Sequence, residues 1–142
     1  MHEEKLAIER AEQAVESYTT LLVDVINQAT LDTTEIQSLL SPELVAAFVE
    51  SRERGIQFQE TILGRIGIQS QRSESVDSIG PSWHVVMLVC MDYSDIVRRH
   101  EDGTEKPAAA GTTVLQSRIT VSVDKQTGSP KVLTVEDTRT TC

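Results

Sequence analysis

The sequence is poor in aromatic residues and in basic residues. Phe, Trp and Tyr together make up 4% of its 142 residues, so the core must rest on aliphatic side chains. Lys and Arg number 13 against 22 Asp and Glu, which gives a formal net charge of −9. Because binding to nucleic acids and to anionic membranes needs clustered Lys and Arg, this balance argues against DNA, RNA or an anionic membrane as a partner.

Long apolar runs and motifs for catalysis or metal binding are also missing. No stretch of about 18 apolar residues exists, so we expect no transmembrane segment. His and Cys are few and widely spaced, and the sequence has no glycine-rich phosphate loop, nucleophile elbow or metalloprotease motif. The sequence therefore predicts no metal and no other cofactor, and it favours a protein that is not an enzyme.

The first third of the chain has the pattern of amphipathic helices. Apolar residues three and four positions apart predict one long helix from about residue 3. Its expected inward face comprises Leu6, Ile8, Ala11, Val15, Tyr18, Leu22, Val25 and Ile26. Asp32 or Thr33 is the expected cap of a short second helix.

The segment SPELVAAFVESRERG predicts a third helix with clear boundaries. Ser41 is the expected N-cap, Pro42 takes the first helical position, and Gly55 lies just past the expected end. Its expected inward side chains are Leu44, Ala47, Phe48 and Ser51.

After Gly55 the apolar pattern changes to the period of a strand, beginning with one weak strand from about residue 60. The segment WHVVMLVCMDY is apolar on both parities, which is typical of a central strand that is covered on both faces. An Asp-Gly pair predicts a tight hairpin, and the segment TTVLQSRITVSVDK after it alternates regularly. Its expected inward side chains are Leu115, Ile119, Val121 and Val123, and its expected outward ones are Gln116, Arg118, Thr120 and Ser122. This order predicts one α+β domain over residues 1–142, with helices over about 3–54 packed on a curved antiparallel β-sheet over about 56–142.

Three segments together resemble the NTF2-like superfamily, whose α+β domains are cone-shaped (a cystatin-like fold). They are the helix SPELVAAFVESRERG, the strand and hairpin VVMLVCMDYSDIVRRHEDG, and the closing VLTVEDTRTTC. More narrowly, they are similar to extracytoplasmic lipoprotein domains of actinobacteria. The last strand departs from that pattern, because it reads SPKVLTV where such domains usually have Gly-Trp-x-Val. The sequence also shows no secretory leader and no lipidation cysteine.

The two cysteines allow two interpretations. In the first, Cys90 is a small buried hydrophobic residue and Cys142 is a reduced thiol. In the second, the two cysteines form a disulfide bond, and the segment RTTC folds back over the sheet. The resemblance favours the bond, because such domains carry cysteines in similar places. A bond would close a loop of about 50 residues and would require the last strand to lie beside the strand of Cys90. It would also imply an extracytoplasmic location, secreted or anchored through a leader outside this sequence.

Enzymes of the superfamily use the interior of the cone, and the resemblance implies where a pocket would lie. Its expected lining comprises Tyr18, Phe48, Trp83, Met87, Met91 and Asp92. His84 and Asp92 share a strand parity but are about 26 Å apart along an ideal strand, so they cannot form one catalytic dyad. We therefore assign no catalytic residue.

Three functions remain open from the sequence. The first is a non-enzymatic binding or scaffolding domain of a bacterial secreted or lipid-anchored protein, whose partner is an unknown protein or a small apolar ligand. The alternative is a small-molecule-binding or isomerase/cyclase-like enzyme, which an open pocket with a buried carboxylate or His would favour. The third is a cytosolic dimer paired through the outer face of the sheet, so that both a monomer and a homodimer remain open.

Overall fold

A computed structural model describes residues 2–26, 33–57, 60–107 and 114–142 of the chain. Its elements are α1 (His2–Ile26), α2 (Thr33–Leu39), α3 (Pro42–Gln57), β1 (Glu60–Leu63), β2 (Gly67–Ile79), β3 (Ser82–Asp92), β4 (Val97–His100), β5 (Glu105–Pro107), β6 (Val114–Asp124) and β7 (Pro130–Thr141). The predicted α+β class is confirmed, whereas the expected cap Asp32 lies outside the described residues. None of the helices in these ranges is both long enough and apolar enough to span a bilayer.

The strands form two antiparallel sheets. The larger has the order β2-β3-β6-β7 and the smaller the order β1-β4-β5. β3 is central in the larger sheet, as its apolar sequence predicts. The single weak strand expected from about residue 60 is wrong, because Gly64 separates β1 from β2. Gly64 has a φ of +94°, and a Cβ atom there would overlap with the carbonyl oxygen of Asp95, so only glycine fits this turn.

The core lies between α1 and one face of the larger sheet. Most of its fully buried side chains come from α1, β3, β6 and β7 and include Ala11, Val15, Val85, Met87, Val89, Met91, Ile119, Val121 and Val132. Ile36 of α2 and Leu40 just after it are fully buried in the same core. The predicted face of α1 is correct at Ala11, Val15 and Tyr18 but wrong at its start. Leu6 is 44% exposed, whereas its neighbour Ala7 is 3% exposed and packs in the core. Alanines at 7, 11 and 14 share one helix face, and their small side chains let α1 lie close to the sheet.

The start of α3 is as predicted, but its end is not. The backbone N–H of Val45 donates to the Ser41 carbonyl at 2.9 Å, and that of Leu44 donates to Ser41 Oγ at 3.4 Å. Ser41 Oγ in turn donates to the carbonyl of Leu133 at 2.8 Å, which ties the cap to β7. The helix continues to Gln57, so Gly55 lies inside it. Glycine adopts helical as well as left-handed angles, and its presence alone does not end a helix.

The inward face predicted for α3 is correct only in part. Phe48 is buried and Leu44 is half-buried, but Ala47 and Ser51 are exposed. Val45 is half-buried against the core instead. The contact surface of α3 is therefore displaced around the helix from the predicted one.

The structure joins Cys90 and Cys142 in a disulfide bond, with the two Cα atoms 6.0 Å apart. The expected adjacency of their strands is wrong, because β6 lies between β3 and β7. Gln116 of β6 is opposite Cys90, and Leu115 of β6 is opposite Thr141. Cys142 follows the last residue of β7, so no strand pairing fixes it, and it reaches Cys90 from across β6.

Both faces of β3 are covered, as predicted, but by different means. The helix side carries Met87 and Met91 of the core, and Leu88 on the other side is only 9% exposed. On that second face, Nε of Arg118 on β6 donates to Glu74 of β2 at 2.9 Å, so this ion pair spans β3. The predicted outward direction of Arg118 is therefore correct.

Candidate functional site

Four of the six predicted pocket residues lie together in the core. Tyr18 of α1 and Phe48 of α3 are buried and meet edge to face, with ring centroids 6.0 Å apart. Met87 and Met91 of β3 are 0% and 1% exposed and belong to the same cluster.

The other two predicted pocket residues, Trp83 and Asp92, lie near opposite ends of β3 and are half-buried. Asp92 Oδ1 accepts the backbone N–H of Ser94 at 2.9 Å. Hydrogen bonds from the Ser94 side chain and backbone lower the pKa of Asp92 below its usual value. This carboxylate therefore stabilises the turn after β3. His84 lies near the other end of β3, opposite Asp77 of β2.

Polar groups of Tyr18, Tyr93 and Gln71 also lie in or against the core, and of these residues only Tyr18 was expected in the pocket lining. Burial, followed by the proximity of Tyr93, raises the pKa of Tyr18 to about 12. Burial, followed by the charge of Asp137, raises the pKa of Tyr93, whose hydroxyl donates to Met91 Sδ at 3.2 Å. Gln71 Oε1 is buried and has no hydrogen-bond partner among the described residues. Both phenols are protonated at neutral pH, so they can donate hydrogen bonds but cannot act as bases.

A groove of about 410 Å³ lies between the first turns of α1 and the turn that joins β6 to β7. Its lining comprises Glu3, Leu6, Ala7, Arg10, Trp83, Val123, Asp124, Lys125, Gln126, Thr127 and Gly128. Of the predicted pocket residues, only Trp83 is part of it. The helical pattern predicts that Leu6 faces inward, but in the structure Leu6 is exposed and lines this groove.

The β6–β7 turn forms one wall of the groove and is stabilised by its own sequence. Asp124 Oδ1 accepts the backbone N–H groups of Gln126 and Thr127 at 2.8 Å each. These hydrogen bonds lower the pKa of Asp124, as expected for an Asp that begins a tight turn. Gly128 closes the turn with a φ of +75°, and its N–H donates to the Asp124 carbonyl at 2.8 Å.

The two cations of the groove have different surroundings. Lys125 Nζ lies 4.9 Å from the centre of the Trp83 ring and bonds to Ser78 Oγ. Arg10 crosses from α1 toward the turn, where its Nε would be 3.6 Å from a Cβ atom at Gly128. Within the described residues, Arg10 has no hydrogen bond and no ion pair. The groove thus combines an aromatic wall, an exposed leucine and an unpaired guanidinium.

A metal centre is not formed by the described part of the chain. No group of three or more His, Cys, Asp or Glu side chains there is placed to hold a metal ion.

No protein-family model matches the sequence, and no curated protein is significantly similar to it. Its fold is similar to that in the crystal structure of the intermembrane space region of the chloroplast protein ARC6. The two chains share 11% identity with a TM-score of 0.61, over 92% of this chain and 97% of that one. At such low identity the similarity concerns the fold alone. It agrees with an α+β domain and does not show membership of the NTF2-like superfamily.

Proposed function

We propose that this chain is a non-enzymatic binding or scaffolding domain that works outside the cytoplasm. It belongs to a bacterial secreted or lipid-anchored protein and has the cone of the NTF2-like superfamily. The observation that carries the proposal is the disulfide between Cys90 and Cys142. Structural disulfides persist in oxidising compartments and are rare where glutathione keeps thiols reduced.

Two further features support this proposal. The solved structure with a similar fold is an intermembrane space region, which is compatible with a domain outside a cytoplasm. The groove beside Trp83 has the volume range of small-ligand sites and combines apolar walls with a few polar groups. Binding therefore needs no rearrangement of the core.

The test is a count of free thiols in the protein from its native host, denatured without a reductant. We expect no reactive thiol and recovery of the protein in the envelope or secreted fraction. The Cys142→Ser variant is the control and must give one reactive thiol, since Cys90 then has no partner. Two reactive thiols in the unreduced wild type, together with recovery from the cytosol, would contradict the proposal.

The alternative function, a ligand-binding or isomerase/cyclase-like enzyme that uses the interior, has one observation in its favour. The buried Tyr18 hydroxyl, with its raised pKa, is a neutral hydrogen-bond donor of the kind that stabilises a developing oxyanion. Such an enzyme also needs a base beside it. If Tyr18→Phe removed a measured isomerase activity from a stably folded protein, this alternative would replace the proposed function.

A further inference from the structure

We infer that the groove between α1 and the β6–β7 turn binds a small organic acid, a carboxylate attached to an apolar or aromatic body. This inference rests on the proposed binding role and names the chemical class of its ligand. The observations behind it are the volume of the groove, its apolar wall around Trp83 and the unpaired charge of Arg10.

The volume favours a small ligand over a protein partner. At about 410 Å³ the groove lies within the range of small-molecule sites, roughly 300–1,000 Å³. A stable protein interface buries about 800 Å² and about 20–30 residues on each partner, more than the eleven residues that line this groove provide. The ligand is therefore one that fits between the helix and the turn.

The apolar part of the ligand has a defined place. Leu6 is 44% exposed, and Ala7, Val123 and Trp83 lie beside it in the lining. Lys125 lies over the Trp83 ring, with which it makes a cation–π contact, and it also bonds to Ser78. These two contacts hold the Trp83 ring in place as one wall of the groove. Removing Leu6 and this wall from water favours an apolar or aromatic body.

The charge that selects the ligand is that of Arg10. The carboxylate of Asp124 also lies in the lining, but it accepts two backbone N–H groups of its own turn and forms no ion pair with Arg10. Glu3 precedes Arg10 by two helical turns, which places it about 10 Å away along the axis. Glu3 forms no ion pair with Arg10, and dissolved salt weakens the interaction of exposed charges at such a separation. A carboxylate is an anion that a guanidinium binds with two parallel hydrogen bonds.

The test uses the fluorescence of Trp83, which is the single tryptophan of the chain and lines this groove. The disulfide-bonded protein is titrated with 3-phenylpropionate and with two probes of matched shape, 3-phenylpropanol and 3-phenylpropylamine. We expect a saturable change with the acid and a Kd about tenfold lower than that of the alcohol, since a charge-assisted hydrogen bond contributes at least that much. The amine should bind most weakly.

Variants assign the selectivity to named side chains. Arg10→Gln should raise the Kd of the acid about tenfold, to the value of the alcohol, without changing the Kd of the alcohol. Leu6→Ser should weaken all three probes. Arg98→Gln is the matched control, because Arg98 is an exposed arginine on β4 of the smaller sheet, and it should change none of them. Far-UV circular dichroism must show the same fold for every variant.

Three outcomes would overturn the inference. If the acid, the alcohol and the amine bound equally well, Arg10 would not select a carboxylate, but the proposed binding function would not be contradicted. No saturable response to any probe would remove the ligand class, whereas the thiol count tests the proposed function separately. If a short peptide that ends in phenylalanine with a free carboxylate bound more tightly than 3-phenylpropionate, the groove would be assigned to a protein partner.

Discussion

Replacing Cys142 by serine is expected to destabilise the domain strongly. The side chain of Cys142 is exposed, and the residue follows the last strand, so the substitution removes little packing and no strand pairing. What it removes is the covalent link to Cys90 on the central strand. The change in the free energy of unfolding therefore measures the bond almost alone.

The magnitude follows from the length of the closed loop. The two cysteines are 52 positions apart in the sequence. In the chain-entropy model a loop of this size restricts the unfolded chain by about 4 kcal/mol at 25 °C. Whole domains of this size are stable by only about 5–15 kcal/mol, so the loss is a large fraction of the total.

The assay is equilibrium unfolding in urea, followed by circular dichroism, for wild type and Cys142→Ser with and without dithiothreitol. Oxidised wild type should be about 4 kcal/mol more stable than the variant. Its m-value should be lower, because the cross-linked unfolded chain exposes less surface. Reduced wild type should match the variant, which itself must not respond to the reductant.

Hydrogen exchange locates the same effect in the structure. β7 pairs at Asp137 and then again only at Thr141, with an irregular register between them. Loss of the bond should therefore raise exchange at the end of β7 first, since a terminal strand without a covalent link frays. The reasoning is refuted if the variant loses less than about 1 kcal/mol, or if exchange at the end of β7 is unchanged.

Three more predictions concern single side chains. Gly64→Ala should lose clearly more stability in urea unfolding than Gly103→Ala: both positions have a positive φ, but only at Gly64 would the new Cβ meet backbone atoms. Equal losses would show that the close approach is unimportant. Ser41→Ala should cost about 1–2 kcal/mol by the same assay, because it removes a helix cap and a buried bond to β7. Arg118 lowers the pKa of Glu74 through a hydrogen bond, so the stability advantage of wild type over Glu74→Gln should be present above pH 4.5 and disappear as the pH falls below it. An advantage that persists at pH 2 would contradict this.

Local sequence rules predicted most of the element types. Ser41 before Pro42 indicated the start of α3, and the period-2 pattern of β6 indicated which side chains face α1. The hairpin at Gly103 followed from the Asp-Gly pair before Thr104. These features depend on residues within a few positions of one another, and for that reason the sequence alone is sufficient.

The groove was not predicted because its walls come from distant parts of the chain. Leu6 and Arg10 belong to the first helix, whereas Trp83 and Lys125 follow more than seventy positions later. A helical pattern assigns Leu6 to the inward face, but in the structure Ala7, Ala11 and Ala14 pack in the core and Leu6 is left exposed beside Trp83. Gln71 was missed because it lies in a strand with weak alternation.

By itself, the sequence determined the class of the fold and the helices and strands whose periodicity is strong. Only the tertiary structure decided that β6 separates β7 from β3, and that Cys142 nevertheless reaches Cys90. The physical reason is that periodicity reports burial along one element. Strand order and the meeting of two distant sulfurs depend instead on how all the elements pack together.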